Sequence, residues 1–391
     1  MSWNRHNILA ILLGATAIGG YVSYQNYRNR KRSEAIFHIT PSPLKTTIPT
    51  LSVDQISKLA YGPDTLPSAR QVETPWGSIR VYEYGPEDGH KVLFIPGIST
   101  PCISFRGLTN EFVKKGCRVM LFDLYGRGYS DNPTYYQHTE HLYIAQILSV
   151  LSSSKLSWTT PNAFSIIGYS LGGGIAATFT RYYPSMVSSL VLLCTSGLVR
   201  EKNVSWRSYW LYRTEGIIPS FITKYFVAKR LHNPSALRIH TDEEGGIDLE
   251  DAVAAELGPD SKETRVMDAA VQWQLDHHEG FVDAFMSGIR HAPITNQHAA
   301  FRVIGRRLDE QRARGHGYEQ GMIGGQLVLI LGRTDPIVLV DEMEPDMMET
   351  VGSENVHTII LDAGHEVPIS IPGQVADCLW KFWKGHEFRV G

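Results

Sequence analysis

From residue 69 onward, short apolar runs alternate with amphipathic stretches along the chain. The apolar runs are rich in Val, Ile and Phe, which is typical of strands buried on both faces of a sheet. They predict strands over 92–95, 118–123, 163–167, 189–195, 327–331 and 358–361. The amphipathic stretches predict helices over 105–115, 140–151, 171–183 and 372–384. This alternation indicates an α/β fold, in which helices cover both faces of a mostly parallel sheet.

The residues before these strands follow a different pattern. Residues 71–73 and 79–84 predict an opening β-hairpin. Residues 33–68 predict a linker followed by a short helix, because the proline-containing stretch 40–49 interrupts regular structure and residues 53–61 show helical spacing. The folded core is therefore expected to begin with the hairpin.

Roughly 130 residues separate the strand that ends at residue 195 from the strand that begins at residue 327. An ordinary connection in such a fold has ~2 to 6 residues. The gap therefore predicts a helical cap over 199–300, inserted between core segments 69–198 and 301–391. The cap begins with aromatic residues interleaved with Lys and Arg. These aromatic residues are Trp206, Tyr209, Trp210, Tyr212, Phe221, Tyr225 and Phe226. Two interpretations stay open: they roof an apolar pocket and touch lipid headgroups, or they pack the cap's own core.

The first 32 residues predict a membrane anchor. Residues 8–24 form an uncharged stretch of 17 residues, which would span ~26 Å as a helix, close to the ~30 Å hydrocarbon core of a bilayer. Trp3 precedes this stretch, and Tyr27 and the basic cluster 28–32 follow it, so the positive-inside rule places the rest of the protein on the cytosolic side. We therefore expect a single-pass N-terminal anchor in residues 1–32, in the endoplasmic reticulum or a mitochondrial membrane.

Two alternatives for the same segment stay open. Ala15, Thr16 and Ala17 resemble a signal-peptidase site after a short apolar run, which favours a cleaved secretory signal. A start that contains Arg5 and no acidic residue also fits a mitochondrial targeting sequence.

Composition and charge narrow the classes of function. The chain has 391 residues, of which 43% are hydrophobic and 20% charged, and this is typical of a globular protein. The formal net charge is -3, but the first 32 residues hold five of the 37 basic residues and no acid. The remainder therefore has 32 basic residues against 40 acidic ones, a charge of -8. This balance argues against nucleic acid as a partner, because such binding relies on clustered Lys and Arg.

The four cysteines predict neither a metal site nor a disulfide framework. Cys102, Cys117, Cys194 and Cys378 include no Cys-x-x-Cys pair. We interpret them as free, mostly buried thiols in a reducing compartment, and we expect no metal in the protein.

The motif Gly-Tyr-Ser-Leu-Gly over 168–172 carries the strongest chemical signal. It lies between the predicted strand 163–167 and the predicted helix 171–183. Gly-x-Ser-x-Gly in this position is a nucleophile elbow, a sharp turn that exposes the serine hydroxyl and leaves room only for glycine beside it. Ser170 is therefore the candidate nucleophile.

A serine hydroxyl is a poor nucleophile unless a histidine takes its proton, and that histidine needs a carboxylate to fix its tautomer. Behind such an elbow, the acid and then the histidine follow later in the chain, each in a loop after a strand. Asp335 follows the predicted strand 327–331, and His365 follows the predicted strand 358–361. Both predicted positions are thus filled.

Other residues of the same types are weaker candidates. His277 and His278 lie on a predicted cap helix, where adjacent residues do not face one site, so we interpret them as surface or packing residues. Asp341 and Asp346 lie further along a predicted helix rather than at a strand end.

Negative charge that develops on a carbonyl oxygen needs backbone amides already in place. One candidate donor is the amide of Leu171, directly after the nucleophile. The other is the amide of Ile98, in the loop 96–99 that follows the predicted strand 92–95.

The segments 94–98, 123–130, 168–172, 332–335 and 364–365 together resemble the α/β-hydrolase superfamily. The resemblance covers residues 69–198 and 325–385, and the chain is similar to membrane-anchored abhydrolase-domain enzymes and monoacylglycerol lipases. It implies an eight-stranded, mostly parallel sheet and hydrolysis through an acyl-enzyme. The chain has Pro96 where many relatives carry His. Serine at the elbow, where epoxide hydrolases and haloalkane dehalogenases place aspartate, disfavours those two activities.

The residues and the resemblance together lead to an expected activity. We expect a serine hydrolase that cleaves a small hydrophobic or lipid-like carboxylic ester without a metal or an organic cofactor. In this expectation Ser170 attacks the carbonyl carbon, His365 takes and returns the proton, and Asp335 orients the imidazole. Thioesters, amides and carbon-carbon bonds are alternative targets of the same triad. A catalytically silent ligand receptor is the alternative outside the enzymes.

Overall fold

A computed structural model describes most of the chain. The described residues are 19–21, 23–24, 26, 38–161, 163–200, 220–232, 255–256, 261–314 and 321–386. Ten strands lie within them. They are β1 (Ile39–Thr40), β2 (Ala69–Val72), β3 (Ile79–Tyr84), β4 (Lys91–Ile95), β5 (Arg118–Phe122), β6 (Asn132–Pro133), β7 (Phe164–Tyr169), β8 (Val187–Leu193), β9 (Leu327–Gly332) and β10 (Val356–Leu361).

Eight of these strands form one sheet in the order β10-β9-β8-β7-β4-β5-β3-β2. Every pairing from β10 to β5 is parallel, whereas β3 runs antiparallel to both β5 and β2. The prediction of an eight-stranded, mostly parallel sheet with an opening hairpin is therefore confirmed. Strands β1 and β6 form a separate antiparallel pair.

The α-helices of the described residues follow the predicted pattern closely in the core. They are α1 (Val53–Ser57), α2 (Arg106–Lys114), α3 (Glu140–Ser152), α4 (Leu171–Tyr182), α5 (Ser220–Leu231), α6 (Lys262–His277), α7 (Phe281–His291), α8 (His298–Arg314), α9 (Val340–Val351), α10 (Val367–Ser370) and α11 (Pro372–Gly385). Helix α1 is shorter than predicted, because helical structure ends at Ser57 rather than continuing to residue 61.

The strand order explains why helices cover both faces. The crossover from β4 through α2 leads to β5 on one side, and the crossover from β7 through α4 leads to β8 on the other side. Since parallel crossovers are right-handed, two crossovers in opposite directions place α2 and α4 on opposite faces. Helix α11 packs against α2, and helices α3 and α8 pack against α4. Because the strands from β10 to β5 are parallel, their carboxyl ends lie at the same edge of the sheet.

The central strands are buried along their whole length. Every residue of β7, β8 and β9 is buried, which is why their sequences read as continuous apolar runs. Two of the serines in these strands have hydrogen-bond partners: Ser165 Oγ lies 2.7 Å from His90 Nε2, and Ser189 Oγ accepts a hydrogen bond from Trp383 Nε1 at 3.1 Å. The sheet is thus a rigid support for the loops at its carboxyl edge.

The segment before the hairpin packs onto the core. Tyr61 is buried, and its hydroxyl donates a 2.8 Å hydrogen bond to the carboxylate of Asp123 at the end of β5. The same carboxylate accepts hydrogen bonds from the N–H groups of Cys102 and Tyr129, each at 2.9 Å. Burial raises the pKa of Asp123, and these hydrogen bonds partly offset that effect. The segment predicted as a linker and short helix is therefore tied to the sheet through Tyr61.

The predicted membrane anchor is corrected by the structure. Among the described residues, no helix combines the length and the apolar character needed to cross a bilayer. A crossing takes about 20 predominantly apolar residues in one helix. This finding overturns the single-pass anchor with a cytosolic domain, together with the membrane locations and the membrane partner that depended on it. Residues 1–18, including the Ala15–Ala17 stretch, lie outside the described residues.

The described part of the predicted cap consists mainly of α5, α6 and α7. Helix α7 packs against both α5 and α6, and α6 packs against α10. Of the aromatic residues noted at the start of the cap, Trp206, Tyr209, Trp210 and Tyr212 lie outside the described residues. Tyr225 and Phe226 on α5 are 63% and 60% exposed, so these two do not pack a cap core. The boundaries of the cap stay a prediction.

Candidate active site

The turn from β7 to α4 places Ser170 at the carboxyl edge of the sheet. Its backbone has φ 52° and ψ -119°, a region that non-glycine residues rarely adopt. Three backbone hydrogen bonds hold it there. Ser170 N–H donates to Leu193 O at 3.0 Å, and Ser170 O accepts from Gly173 N–H at 2.9 Å and Ser196 N–H at 3.0 Å. The strained turn leaves Ser170 9% exposed, whereas its neighbours in β7 are fully covered.

Glycine is required on both sides of Ser170. A Cβ on Gly168 would overlap the carbonyl oxygen of Gly172, and a Cβ on Gly172 would overlap the carbonyl oxygen of Ile95. Both obstacles are backbone atoms, so no neighbouring side chain can relieve the overlap by rotating. The Gly-x-Ser-x-Gly spacing thus reflects how closely α4 approaches the ends of β4 and β7.

Gly172→Ala is expected to lower the free energy of unfolding by about 2 to 3 kcal/mol, because the end of β4 or the start of α4 must move to admit the methyl group. The measurement is denaturant unfolding followed by circular dichroism. Gly373→Ala is the matched control, since a Cβ at that position of α11 meets nothing within 4 Å. Equal stability of the two variants would contradict this description of the elbow.

The structure brings Ser170, His365 and Asp335 together. His365 Nε2 lies 3.0 Å from Ser170 Oγ, and His365 Nδ1 lies 2.7 Å from Asp335 Oδ2. Parallel pairing of β9 with β10 sets the two partner loops side by side, since Leu361 is opposite Gly332 at the ends of these strands. All three side chains are buried. The geometry is that of a nucleophile, a base and an orienting acid in one hydrogen-bonded line.

Asp335 is held as an acceptor at both carboxylate oxygens. Oδ2 faces the imidazole, and Oδ1 accepts hydrogen bonds from the N–H groups of Ile337 at 2.8 Å and Val338 at 2.9 Å. Because those amides fix the carboxylate, Asp335 in turn fixes His365 with Nδ1–H toward the acid. Nε2 is then free of a proton and can accept one from Ser170.

The pKa of His365 is raised above its ordinary value. Burial would lower this pKa, but the negative charge of Asp335 and its hydrogen bond to the ring outweigh burial. The carboxylates of Glu256 and Glu366 add to the upward shift. The surroundings of the imidazole therefore stabilise its protonated form. A base that holds a proton during a reaction needs this stabilisation.

The two candidate oxyanion donors flank the elbow. Leu171 begins α4, so its amide is one of the first-turn N–H groups that have no partner within the helix. Ile98 lies in the loop 96–99 after β4, which we call the oxyanion loop. Its carbonyl accepts a 2.9 Å hydrogen bond from Arg127 Nε, and its amide donates to Glu256 Oε1 at 3.1 Å. Of the two predicted donors, Ile98 thus already has an anionic partner.

Glu256 is the residue of this site that the sequence analysis missed. It is fully buried against the oxyanion loop, 158 positions after Ile98 in the chain. It belongs to no motif, and it falls inside the predicted cap, where no strand or elbow fixes the position of a residue in advance. No signal in a single sequence would have singled it out among the acidic residues of the cap.

The other candidate residues make their contacts elsewhere. His278 is buried, with Nε2 2.8 Å from Ser130 O, while Nδ1 accepts a hydrogen bond from Gly280 N–H. Burial lowers its pKa to about 4. Asp346 accepts a 3.0 Å hydrogen bond from Arg200 Nε, and Asp341 is exposed at the start of α9. The buried position of His278 agrees with its interpretation as a packing residue, and Asp341 and Asp346 lie on α9, further along the chain than the end of β9.

One group of possible metal ligands occurs within the described ranges. The ligand atoms of Cys194, Asp335 and His365 lie within 4.8 Å of one another. A tetrahedral zinc ion, however, holds N and O ligand atoms roughly 3.3 Å apart, whereas Nδ1 of His365 and Oδ2 of Asp335 are at the hydrogen-bond distance of 2.7 Å. Burial, and then the charge of Asp335, raises the pKa of Cys194 well above its ordinary value, so the thiol keeps its proton. The cluster therefore suits a proton shuttle better than a metal.

The fold and this site define an α/β protein with a nucleophile elbow at the carboxyl edge of its sheet. Residues 91–370 match the family described as the alpha/beta hydrolase fold. The chain therefore belongs to the α/β-hydrolase fold family.

Individual known proteins are similar to parts of this chain. A serine hydrolase-like protein of Danio rerio is 33% identical over 130 residues, which is 33% of this chain and 38% of that protein. The match thus spans well under two thirds of the relative. Among solved structures, a carboxylesterase of the thaumarchaeon Nitrososphaera gargenis has a TM-score of 0.55 at 18% identity, covering 81% of this chain and 99% of that chain. The meta-cleavage product hydrolase of Pseudomonas fluorescens has a TM-score of 0.52 at 15% identity, covering 81% and 97%. These two likenesses show the fold.

Proposed function

We propose that the protein is a serine hydrolase that cleaves carboxylic esters, with Ser170, His365 and Asp335 as its catalytic triad. The observation that carries the proposal is the hydrogen-bonded line from Ser170 Oγ through both ring nitrogens of His365 to Asp335. Membership of the α/β-hydrolase fold family supports it.

The reaction follows from the positions of these groups. Ser170 Oγ attacks the ester carbonyl carbon while its proton moves to His365 Nε2, and the negative oxygen is stabilised by the amides of Ile98 and Leu171. The imidazolium that forms is stabilised by Asp335. Its proton then passes to the leaving alcohol, and an acyl group stays on Ser170. Water repeats the sequence, with His365 as base, and releases the carboxylic acid.

The substrate class is the finer part of the proposal. Ser170 lies at the end of a wholly buried strand, and Glu256 adds a buried negative charge at the oxyanion loop. These surroundings favour an uncharged, hydrophobic ester over an anionic one. The predicted membrane anchor, which also favoured a lipid-like substrate, is overturned by the structure. The preferred length of the acyl chain is therefore a quantity to be measured.

The test is a panel of p-nitrophenyl esters from acetyl to palmitoyl, with a matched thioester and a matched anilide of the preferred acyl group. We expect measurable kcat/KM on esters, the highest value on an uncharged acyl chain, and a loss of several orders of magnitude in Ser170→Ala. The meta-cleavage product hydrolase shares this fold, so a meta-cleavage product is included to test carbon-carbon bond hydrolysis. Turnover of that compound, of the thioester or of the anilide, with no turnover of any ester, would contradict the ester assignment.

The pH dependence of kcat/KM should report His365. Since the neutral imidazole is the base, activity is expected to fall as pH drops through the pKa of His365 in the free enzyme. Because that pKa is raised, the midpoint of the acid limb should lie above the ordinary value of about 6.5. The measurement uses an ester without ionisable groups. A midpoint well below 6.5 would contradict the described environment of His365.

A further inference from the structure

The carboxylate of Glu256 is hydrogen-bonded to the Ile98 amide, which is one of the two amides proposed to bind the substrate oxyanion. Glu256 Oε1 accepts from the N–H of Ile98 at 3.1 Å, and Oε2 accepts from the N–H of Ser99 at 3.3 Å. The hydroxyl of Ser99 also donates to Oε2. Glu256 is fully buried, so these three donors replace the water that a free carboxylate would bind.

The close approach of Glu256 also shapes the oxyanion loop. A Cβ on Gly97 would overlap Oε1 of Glu256, so the carboxylate lies against the backbone where a side chain would otherwise stand. The loop is held from other directions as well: Arg127 Nε donates to Ile98 O at 2.9 Å, and Gln274 on α6 donates to Ser99 O. Because these contacts bind the carbonyl oxygens, the loop has support that does not depend on Glu256.

The negative charge of Glu256 also acts on the rest of the site. Burial lowers the pKa of His365, but Asp335 and then Glu256 raise it. Burial raises the pKa of Tyr169, and the charge of Glu256 raises it further. The carboxylate that accepts hydrogen bonds from the oxyanion loop thus also influences the histidine beside Ser170.

We propose that Glu256 is a further active-site residue, whose carboxylate fills the oxyanion position on the Ile98 amide in the resting protein and must be displaced by the substrate carbonyl. This inference rests on the proposed function. Both the oxyanion and the Glu256 carboxylate are negative oxygens that accept the same N–H group, so they exclude each other. Only molecules in which Glu256 has left the Ile98 amide can react. The apparent rate constant is therefore the rate constant of those molecules multiplied by the fraction of the protein that they represent.

A purely structural role for Glu256 predicts the opposite effect. If the carboxylate only held the loop in its donor geometry, its removal would loosen the Ile98 amide and lower reactivity. If it competes with the oxyanion, its removal raises reactivity. The sign of the change therefore decides between the two.

The test measures the second-order rate constant for covalent labelling by a fluorophosphonate, whose phosphoryl oxygen requires the same oxyanion donors. Glu256→Ala is expected to react at least about 10-fold faster than wild type. This factor corresponds to the loss of one charge-assisted hydrogen bond between Glu256 and the Ile98 amide. Glu256→Gln keeps the volume but loses the charge and one acceptor oxygen, and it should also react faster. Glu263→Gln, an exposed acid in the first turn of α6, is the matched control and should leave the rate unchanged.

Added acetate gives an independent readout. Tens of millimolar sodium acetate should slow labelling of Glu256→Ala by refilling the vacated carboxylate position, and should leave wild type unaffected, with sodium chloride as the ionic control. Equal or slower labelling of both Glu256 variants, each with an unfolding midpoint like that of wild type, would overturn the inference. The proposed function would then still stand if wild-type labelling is lost in Ser170→Ala. Absence of labelling in wild type and in both variants would overturn both.

The pH profile of Glu256→Gln separates a charge effect from a change in folding. The ionisable groups that face His365 are Asp335 and Glu366, with Tyr169 and Cys194 beside them. They stay in place when Glu256 is neutralised. Removal of one negative charge lowers the pKa of His365, so the acid limb of kcat/KM should move to lower pH. An unmoved acid limb would contradict the placement of Glu256 in the site.

Discussion

Ser170→Ala is expected to lower kcat for ester hydrolysis by a factor of about 10⁴ to 10⁶ and to leave the fold intact. The change removes only the hydroxyl, so the three backbone hydrogen bonds that hold the elbow are kept. Without Oγ there is no atom to form the acyl-enzyme, and the remaining rate reflects the amides and binding alone. The measurement is kcat on the best p-nitrophenyl ester, with the unfolding midpoint taken in parallel.

Ser165→Ala is the matched control for this prediction. Ser165 is a buried serine on β7, the strand that leads into Ser170, and its hydroxyl bonds to His90 and Ser188 rather than to His365. Its removal should leave kcat nearly unchanged while lowering stability modestly. A Ser170→Ala protein that keeps a tenth or more of wild-type kcat would show that another group is the nucleophile.

Asp335→Asn is expected to lower kcat by about 10⁴. An amide whose oxygen keeps accepting from the N–H groups of Ile337 and Val338 turns its NH₂ group, a donor, toward His365 Nδ1. The imidazole then loses both the fixed tautomer and the stabilisation of its protonated form. For the same reason, the acid limb of the pH profile should shift to lower pH, because a charge that raises the pKa of His365 is gone.

Asp341→Asn is the control for the acid, since Asp341 is exposed at the start of α9 only six positions further on. It should keep wild-type kcat and an unshifted pH profile. Equal losses in the two variants would mean that the acid had been assigned to the wrong aspartate.

The sheet was predictable because its strands are buried on both faces. Continuous apolar runs such as 327–331 have few interpretations other than a central parallel strand, and the structure places every residue of β7, β8 and β9 in the interior. Ser170 was predictable because glycines at 168 and 172 are required by backbone contacts, which any sequence with this elbow must respect. Asp335 and His365 followed from chain order, since β9 and β10 pair in parallel and bring their loops to the same edge.

The cap side of the site was not predictable. Glu256 reaches Ile98 across 158 positions, and nothing in the local sequence encodes that contact, because an insertion between strands has no register that the sheet imposes. The link from Tyr61 to Asp123 is similar. A proline-rich stretch indicates where regular structure stops, but it does not indicate which buried carboxylate a later tyrosine will reach.

The membrane anchor failed for a different reason. Its prediction rested on an uncharged stretch of 17 residues with aromatic and basic flanks, but a residue without charge is not necessarily apolar. The stretch contains Gly14, Gly19 and Gly20 together with Thr16 and Ser23, which lower both its helix propensity and its hydrophobic transfer energy. With the anchor overturned, a hydrophobic substrate is supported by the position of Ser170 at the end of a wholly buried strand, and the buried carboxylate of Glu256 argues against an anionic one.

The central claim is that Ser170 is an activated nucleophile, and mass spectrometry after fluorophosphonate treatment tests it most directly. The wild-type protein should gain the mass of one phosphonyl group, and peptide mapping should place that group on the peptide that contains Ser170. Ser170→Ala should gain none. A folded wild-type protein that stays unmodified, or an adduct that persists in Ser170→Ala, would contradict the account.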